Sequence, residues 1–283
     1  MNLMKKQNVI ISLVIGLAII SVLFSGCIDN NNEESPSENV TIKGSSTVLP
    51  IATLAAEAFM ELYPNITVSV AGGGSSVGIR SVATGEADIG DASREVKQSE
   101  IEEYPEITFY DNKVALDGVA ILVSKAIYDA GVTDITMEQL RGIYNGTITQ
   151  WDELGGPTEE IFINEREEGS GTRDTFMELV GLEETVADSA HSANSQVKQA
   201  VGGSEVGIGY AGLGFIDDTT PALAIDSIAP SEATITSGDY PISRSLHMYT
   251  NGQPTGAVKL FIDFVLGEEG QDIVAEEGFI TIN

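Results

Sequence analysis

Beyond residue 39, apolar positions follow two periods in alternation. Val40-Thr41-Ile42 predicts a short strand that meets Gly44-Ser45-Ser46-Thr47. From Ile51 to Tyr63 the apolar residues Leu54, Ala55, Ala58, Phe59 and Leu62 fall at helical spacing. Ile66 to Val70 alternates as a strand does and runs into Ala71-Gly72-Gly73-Gly74-Ser75-Ser76; Val77 to Ala83 then predicts a short helix and Ala87 to Gly90 a strand end. Val114 to Val123 is a long β-rich apolar run, and Met137 to Tyr144 predicts a helix. Strand-like Ile161 to Ile163 precedes Arg166-Glu167-Glu168-Gly169-Ser170-Gly171-Thr172-Arg173, with a helix expected from Asp174 to Val180. Gly207 to Tyr210 and Leu246 to Tyr249 predict β segments, and Ala257 to Val265 a last amphipathic helix. Strand, Gly/Ser turn and helix recur, which is the rhythm of an α/β sheet with covering helices. GGSxVGI occurs at Gly73 and again at Gly202, but the surroundings do not match, so it is read as coincidence and not as a repeat.

The first 26 residues have a different pattern. Lys5 and Lys6 precede an almost unbroken apolar stretch from Val9 to Phe24. A charged start followed by an apolar segment predicts a secretory leader. It ends at Leu23-Phe24-Ser25-Gly26-Cys27, where small residues before the sole cysteine are similar to the lipobox of secreted lipoproteins. Residues 1–26 are therefore expected to be a signal peptide and Cys27 a lipidation site that anchors the chain to the outer face of the membrane. Residues 27–39, polar and without an aliphatic run after Ile28, predict a flexible tether.

The 283 residues carry 14 Lys+Arg against 43 Asp+Glu, a formal charge of −29. That field excludes nucleic acid as an expected partner. One cysteine excludes an intrachain disulfide, and two distant histidines, His191 and His247, offer no metal site. Neither cofactor nor metal is expected.

Three segments share one physical design: Gly44–Thr47, Gly73–Ser76 and Gly169–Thr172 each place glycine and hydroxyl residues at an expected strand-to-helix junction. A helix N-terminus presents free N–H groups and partial positive charge. Glycine allows close backbone approach, and hydroxyls add donors, so such junctions suit anions. After Cys27 the chain has six arginines: Arg80, Arg94, Arg141, Arg166, Arg173 and Arg244. Arg80, Arg94, Arg166 and Arg173 sit in or beside the Gly/Ser segments, with Arg80 and Arg173 expected to pair with acids. Arg166 is the expected ligand contact, because a guanidinium is a planar fork of donors, with Glu168 as its orienting partner.

Four motifs in this order resemble those of the phosphate-binding proteins of ABC transporters: Gly44-Ser45-Ser46-Thr47-Val48-Leu49-Pro50, Gly73-Gly74-Ser75-Ser76-Val77-Gly78, Asp88-Ile89-Gly90-Asp91-Ala92-Ser93-Arg94 and Arg166 to Arg173. The resemblance runs from about residue 40 to the C-terminus. It implies an α/β, two-lobed periplasmic-binding-protein-like fold with a hinge and a ligand cleft between the lobes. Lobe 1 is placed at 40–118 and 241–283, lobe 2 at 119–240. It further implies a non-enzymatic receptor, working as a monomer, that hands inorganic phosphate to permease subunits. Carried over position by position, the ligand residues are Ser46, Thr47 and the N–H of Val48; Ser75, with Ser76 as its neighbour; and Arg166, Ser170, Gly171 and Thr172. Where some members have a carboxylate that accepts the proton of hydrogen phosphate, this chain has Ser93. Asp91, two residues earlier, is the other candidate for that role. Two alternatives remain on the sequence: the same fold binding sulfate, molybdate or tungstate, and a secreted phosphatase, for which no metal cluster or activated nucleophile is legible. Trp151 and Tyr144 are expected to pack a lobe surface or face the permease.

Overall fold

The computed structural model describes residues 38–282. The expected leader, Cys27 and the tether as far as residue 37 lie outside the described residues.

In chain order the elements are β1 (Glu38–Gly44), α1 (Leu49–Leu62), β2 (Ile66–Gly72), α2 (Ser75–Thr84), β3 (Ile89–Ala92), α3 (Gln98–Glu103), β4 (Phe109–Val123), α4 (Lys125–Asp129), β5 (Asp134–Ile135), α5 (Met137–Tyr144), β6 (Phe162–Arg166), α6 (Gly171–Val180), β7 (Ser189–His191), α7 (Asn194–Gly202), β8 (Gly207–Gly212), β9 (Ala222–Ile225), α8 (Glu232–Thr236), β10 (Ser243–Asn251), α9 (Gly256–Leu266) and α10 (Glu268–Glu276). The strands run β2-β1-β3-β10-β4-β8-β6-β7, with β9 pairing β4 and β5. β1 is parallel to β2 and β3, and β6 to β7 and β8; β10 and β4 are antiparallel to their neighbours.

β4 joins two cores. From Phe109 to Gly118 it pairs with β10, Gly118 lying opposite Ser243; from Val119 it pairs with β8, Val119 lying opposite Gly212. Its second half is buried on both faces. Val119, Ile121 and Val123 enter a core with Ile143, Tyr144, Trp151, Phe176 and Tyr210, while Ala120 and Leu122 meet Val197 and Val201 on the other side. That double burial is why Val114 to Val123 reads as one apolar run. The other core gathers β1, α1, β3, β10 and α9 around Ile42, Phe59, Ile89, Leu246 and Phe261.

Two expectations need correction, and packing settles which face of one helix is buried. β1 begins at Glu38, opposite Ile66, so residues 38 and 39 belong to the ladder and not to the tether. The buried face of α1 is Ile51, Ala52, Ala55, Ala56 and Phe59, whereas Leu54 and Leu62 are exposed. Small alanines let α1 lie close on the sheet, and the two leucines stand beyond that contact. Trp151 and Tyr144 are fully buried and face neither surface nor solvent; Trp151 Nε1 donates to the Val206 carbonyl (3.0 Å). The two GGSxVGI runs take different structures, the first entering α2 and the second leaving α7 for β8.

Candidate functional site

Each Gly/Ser segment is the turn from a strand into a helix: β1 into α1, β2 into α2, β6 into α6. Gly44 has φ +141°, and a Cβ there would lie 2.1 Å from the Asp91 carbonyl oxygen. Only glycine lets β1 end so close to β3. Ser45 donates its N–H to that carbonyl (2.8 Å), and its hydroxyl caps Thr47 N–H (3.1 Å). Ser46 and Thr47 are thereby carried to the start of α1. Gly74 caps α2 without a side chain, leaving Ser75 as the first helical residue. Ser170 caps α6 by accepting Arg173 N–H (3.3 Å), which puts Gly171 and Thr172 in the first turn.

The three turns meet. Gly74 N–H donates to Gly44 O (2.9 Å), and Ser76 N–H to Gly169 O (3.1 Å). Thr47 Oγ1 is 3.1 Å from Thr172 Oγ1, and Ser75 Oγ is 3.3 Å from Ser93 Oγ while accepting Ser93 N–H (3.0 Å). A Cβ on Gly171 would lie 2.2 Å from Ser75 Oγ and 2.6 Å from Ser93 Oγ, so the approach of α6 to α2 requires glycine. Ser46, Thr47, Val48, Ser75, Ser93, Arg166, Ser170 and Thr172 are all buried. The first turns of three helices thus bring main-chain donors, hydroxyls and partial positive charge into one dry region, a combination suited to an anion.

Arg166, at the end of β6, adds a full charge. Nε donates to His191 O (3.1 Å) and Nη2 to Ser192 O (2.9 Å). These carbonyls fix the guanidinium; Glu168, expected in that role, is exposed. Burial, with the nearby Arg244 charge adding to it, lowers the Arg166 pKa to about 10, which leaves it cationic at neutral pH. Arg94 is committed elsewhere: it binds Glu100 (2.8 Å), Asp174 Oδ2 (2.7 Å) and Ser76 Oγ (2.9 Å). Arg173 faces Glu165 (3.5 Å).

Asp91 and Ser93 separate. Ser93 joins the hydroxyl group around Ser75 and Gly171. Asp91 lies on β3 opposite Met248, is buried, and its Oδ1 has no hydrogen-bond partner among the described residues. Burial holds its carboxyl well above the usual carboxylate range. What Asp91 gives the turns is its main-chain carbonyl.

Two residues are missing from the sequence reading. Asn194, the first residue of α7, donates Nδ2 to Ser46 Oγ (3.2 Å) and Thr47 Oγ1 (2.8 Å), and its Oδ1 lies 3.5 Å from Thr172 Oγ1. It sits in His191-Ser192-Ala193-Asn194-Ser195, which has none of the glycine that marks the other turns; a polar residue opening a helix was the only signal. Arg244 on β10 faces Asp117 on β4, donating from Nη2 to Asp117 Oδ2 (2.7 Å) and to Thr47 Oγ1 (3.3 Å).

An α/β molecule with two cores joined by a shared strand, and helix N-termini converging on a buried polar cluster, defines a solute-binding protein. Accordingly, the family model described as a PBP superfamily domain matches residues 30–269. The phosphate-binding protein PstS of Bacillus subtilis is 37% identical over 254 residues, covering 88% of this chain and 83% of the relative. PstS of Borreliella burgdorferi is 30% identical, covering 94% and 98%. Among solved structures, a Clostridium perfringens protein assigned as a phosphate ABC transporter substrate-binding protein, crystallised with bound phosphate, superposes with a TM-score of 0.81 at 36% identity, covering 87% of this chain and all of that one. An ABC-type phosphate transport receptor from Vibrio cholerae superposes with a TM-score of 0.71 at 32% identity, covering 86% and 99%. The chain belongs to the PstS family of phosphate-binding proteins.

Proposed function

We propose that this protein captures inorganic phosphate outside the cytoplasmic membrane and delivers it to the permease of an ABC transporter, binding its ligand without chemical change. The observation that carries the reading is the convergence of the α1, α2 and α6 first turns, with buried hydroxyls, on the side of the molecule where Arg166 is held. A tetrahedral oxyanion would take donors from Ser46, Thr47, Val48 N–H, Ser75, Ser170, Gly171, Thr172 and Arg166. Desolvated, preorganised hydrogen bonds then supply affinity within a strongly acidic protein, where long-range attraction cannot.

The lobes are residues 40–118 with 241–283, and 119–240. They hinge where β4 passes from β10 to β8, and the ligand is enclosed as they close. The acceptor for the hydrogen of hydrogen phosphate falls to hydroxyl oxygens around Ser93 and to Asn194 Oδ1, in place of Asp91. Lipidation of Cys27 would tether the receptor to the outer face of the membrane, and the receptor acts as a monomer. Isothermal titration of the purified protein should give tight 1:1 phosphate binding. No heat with phosphate and strong heat with sulfate, molybdate or tungstate would refute the substrate assignment.

A further inference from the structure

Arg244 is tied down on one side only. Its Nε and Nη2 both donate to Asp117 Oδ2 (2.8 and 2.7 Å), directly across the β10–β4 register. Asp117 is itself fixed, because its other oxygen accepts Leu213 N–H (2.8 Å). The same Nη2 reaches Thr47 Oγ1 at 3.3 Å, which places the guanidinium against the turn into α1. Nη1 is buried and has no hydrogen-bond partner among the described residues.

An ion pair with Asp117 accounts for Nε and Nη2 but not for Nη1. A buried charged donor without an acceptor is costly, and such groups call for a reason. A second strain points the same way. Arg244 lies close enough to Arg166 for its charge to add to the lowering of the Arg166 pKa, and Asp117 pairs with Arg244 alone. Two guanidinium groups, one from β10 and one from β6, therefore approach the same region of hydroxyls and helix N-termini.

The geometry points to Arg244 as a second guanidinium of the oxyanion site, fixed by Asp117 and donating Nη1–H to the bound ion together with Arg166. This rests on reading the cleft as a phosphate site, and it revises the expectation of a single arginine. It also gives the site a charge preference. Two cations suit the dianion of phosphate better than the monoanion.

The test is titration calorimetry with inorganic phosphate on the purified wild type, on Arg244→Lys and on the double variant Arg244→Gln with Asp117→Asn. The double variant removes both charges of the pair, so neither is left buried alone. It is expected to melt within a few degrees of wild type and to bind phosphate about 100-fold more weakly. Arg244→Lys keeps a cation beside Asp117 but loses the planar fork, so a loss of about 10-fold is expected. Titrations are repeated at about pH 6 and about pH 8, between which phosphate passes from mostly monoanion to mostly dianion. Asp117, Thr47 and Arg166 face Arg244, and His191 adjoins Arg166; all four remain in Arg244→Lys, and only Asp117 changes in the double variant. A purely structural role would weaken binding equally at both pH values, whereas loss of a charged donor on the side of the guanidinium turned away from Asp117 weakens it more at the higher one, where the ion carries the larger charge. Unchanged affinity in the double variant, or equal loss at both pH values, overturns the Arg244 assignment and leaves the phosphate reading standing. Wild type that takes up no phosphate overturns both. If the double variant does not fold, wild-type affinity in Arg244→Lys overturns the assignment.

Discussion

Thr47 Oγ1 lies 3.1 Å from Thr172 Oγ1, one hydroxyl from the turn into α1 and the other from the first turn of α6. Thr47 Oγ1 also accepts from Asn194 Nδ2 (2.8 Å) and Arg244 Nη2 (3.3 Å). A hydroxyl has two acceptor lone pairs and one proton. With both lone pairs engaged, the Thr47 proton is directed away from these two donors, toward Thr172 or a ligand. The turn into α1 and the first turn of α6 therefore meet through the side chains proposed to hold phosphate.

Thr47→Val keeps the branched shape and removes that hub. Asn194 Nδ2 keeps Ser46 Oγ and Arg244 Nη2 keeps Asp117 Oδ2, so the loss is that of the hydroxyl's own bonds, about 1–2 kcal/mol, or roughly 5- to 30-fold in affinity. Calorimetry should show the loss with phosphate while the variant stays folded. Binding within threefold of wild type would mean that Thr47 is not part of the ligand shell.

Much of this arrangement can be read from residue order, and the rest cannot, for physical reasons. Local chemistry marks the three turns: positive-φ glycine followed by Ser/Thr at a strand end is a short-range signature, and Gly44, Gly74 and Gly169 all have positive φ. β4 is legible because burial on two faces makes it uniformly apolar. Asn194 and Arg244 act through contacts 147 and 197 residues away in the chain, to Thr47. No neighbour in sequence announces such contacts. Glu168 misleads for the opposite reason. It is two residues from Arg166 in the chain, yet the carbonyls of His191, which ends the parallel neighbouring strand β7, and of Ser192 just after it do the orienting. α7 is weakly patterned, since only Asn194, Val197 and Val201 are buried along it.

Gly171 tests how tightly the halves must fit. Alanine suits the first turn of α6, but its Cβ would lie 2.2 Å from Ser75 Oγ. The clash arises only where α6 meets α2, so it penalises the joined arrangement and spares each half. Overpacking of about 1–3 kcal/mol predicts phosphate affinity lowered roughly 5- to 150-fold in Gly171→Ala, with little change in melting temperature without ligand. A large fall in melting temperature with affinity retained would place the constraint in folding instead.

Asp91 gives a stability signature that runs against the usual carboxylate behaviour. Burial raises its folded pKa, whereas the unfolded chain ionises it at about pH 4. Above that point the unfolded state gains by losing the proton and the folded state does not. The folded state binds more protons, so its stability falls as pH rises toward the folded pKa. Asparagine carries no such proton. Asp91→Asn should melt higher than wild type at about pH 7, by about 2–4 °C for each kcal/mol recovered, with the gain shrinking toward pH 4. A variant that melts lower at pH 7 would show that the ionised carboxylate is needed. A fall in phosphate binding without a matching fall in sulfate binding would return Asp91 to the ligand.

The Asp174 carboxylate is the last test, because it ties α6 to the segment after β3. Its Oδ2 receives Arg94 Nε (2.7 Å) and Lys97 Nζ (2.8 Å), and Arg94 is steadied by Glu100 and by Ser76 Oγ (2.9 Å). Arg94 is nearly buried, whereas Lys97 is about half exposed, so most of the energy lies in the Arg94 contact. These bonds join residues on either side of the β4 switch, so on the proposed hinge closure they belong to the closed arrangement. Asp174→Asn should therefore leave phosphate association nearly unchanged and speed its release, since truncating one partner of a largely desolvated charge pair acts mainly on dissociation. About 1–2 kcal/mol gives a release rate roughly 5- to 30-fold faster in stopped-flow displacement. High salt should speed release from wild type only slightly, because screening reaches the exposed lysine far more than the buried arginine. Slower association at an unchanged release rate would instead assign Asp174 to the approach of the anion.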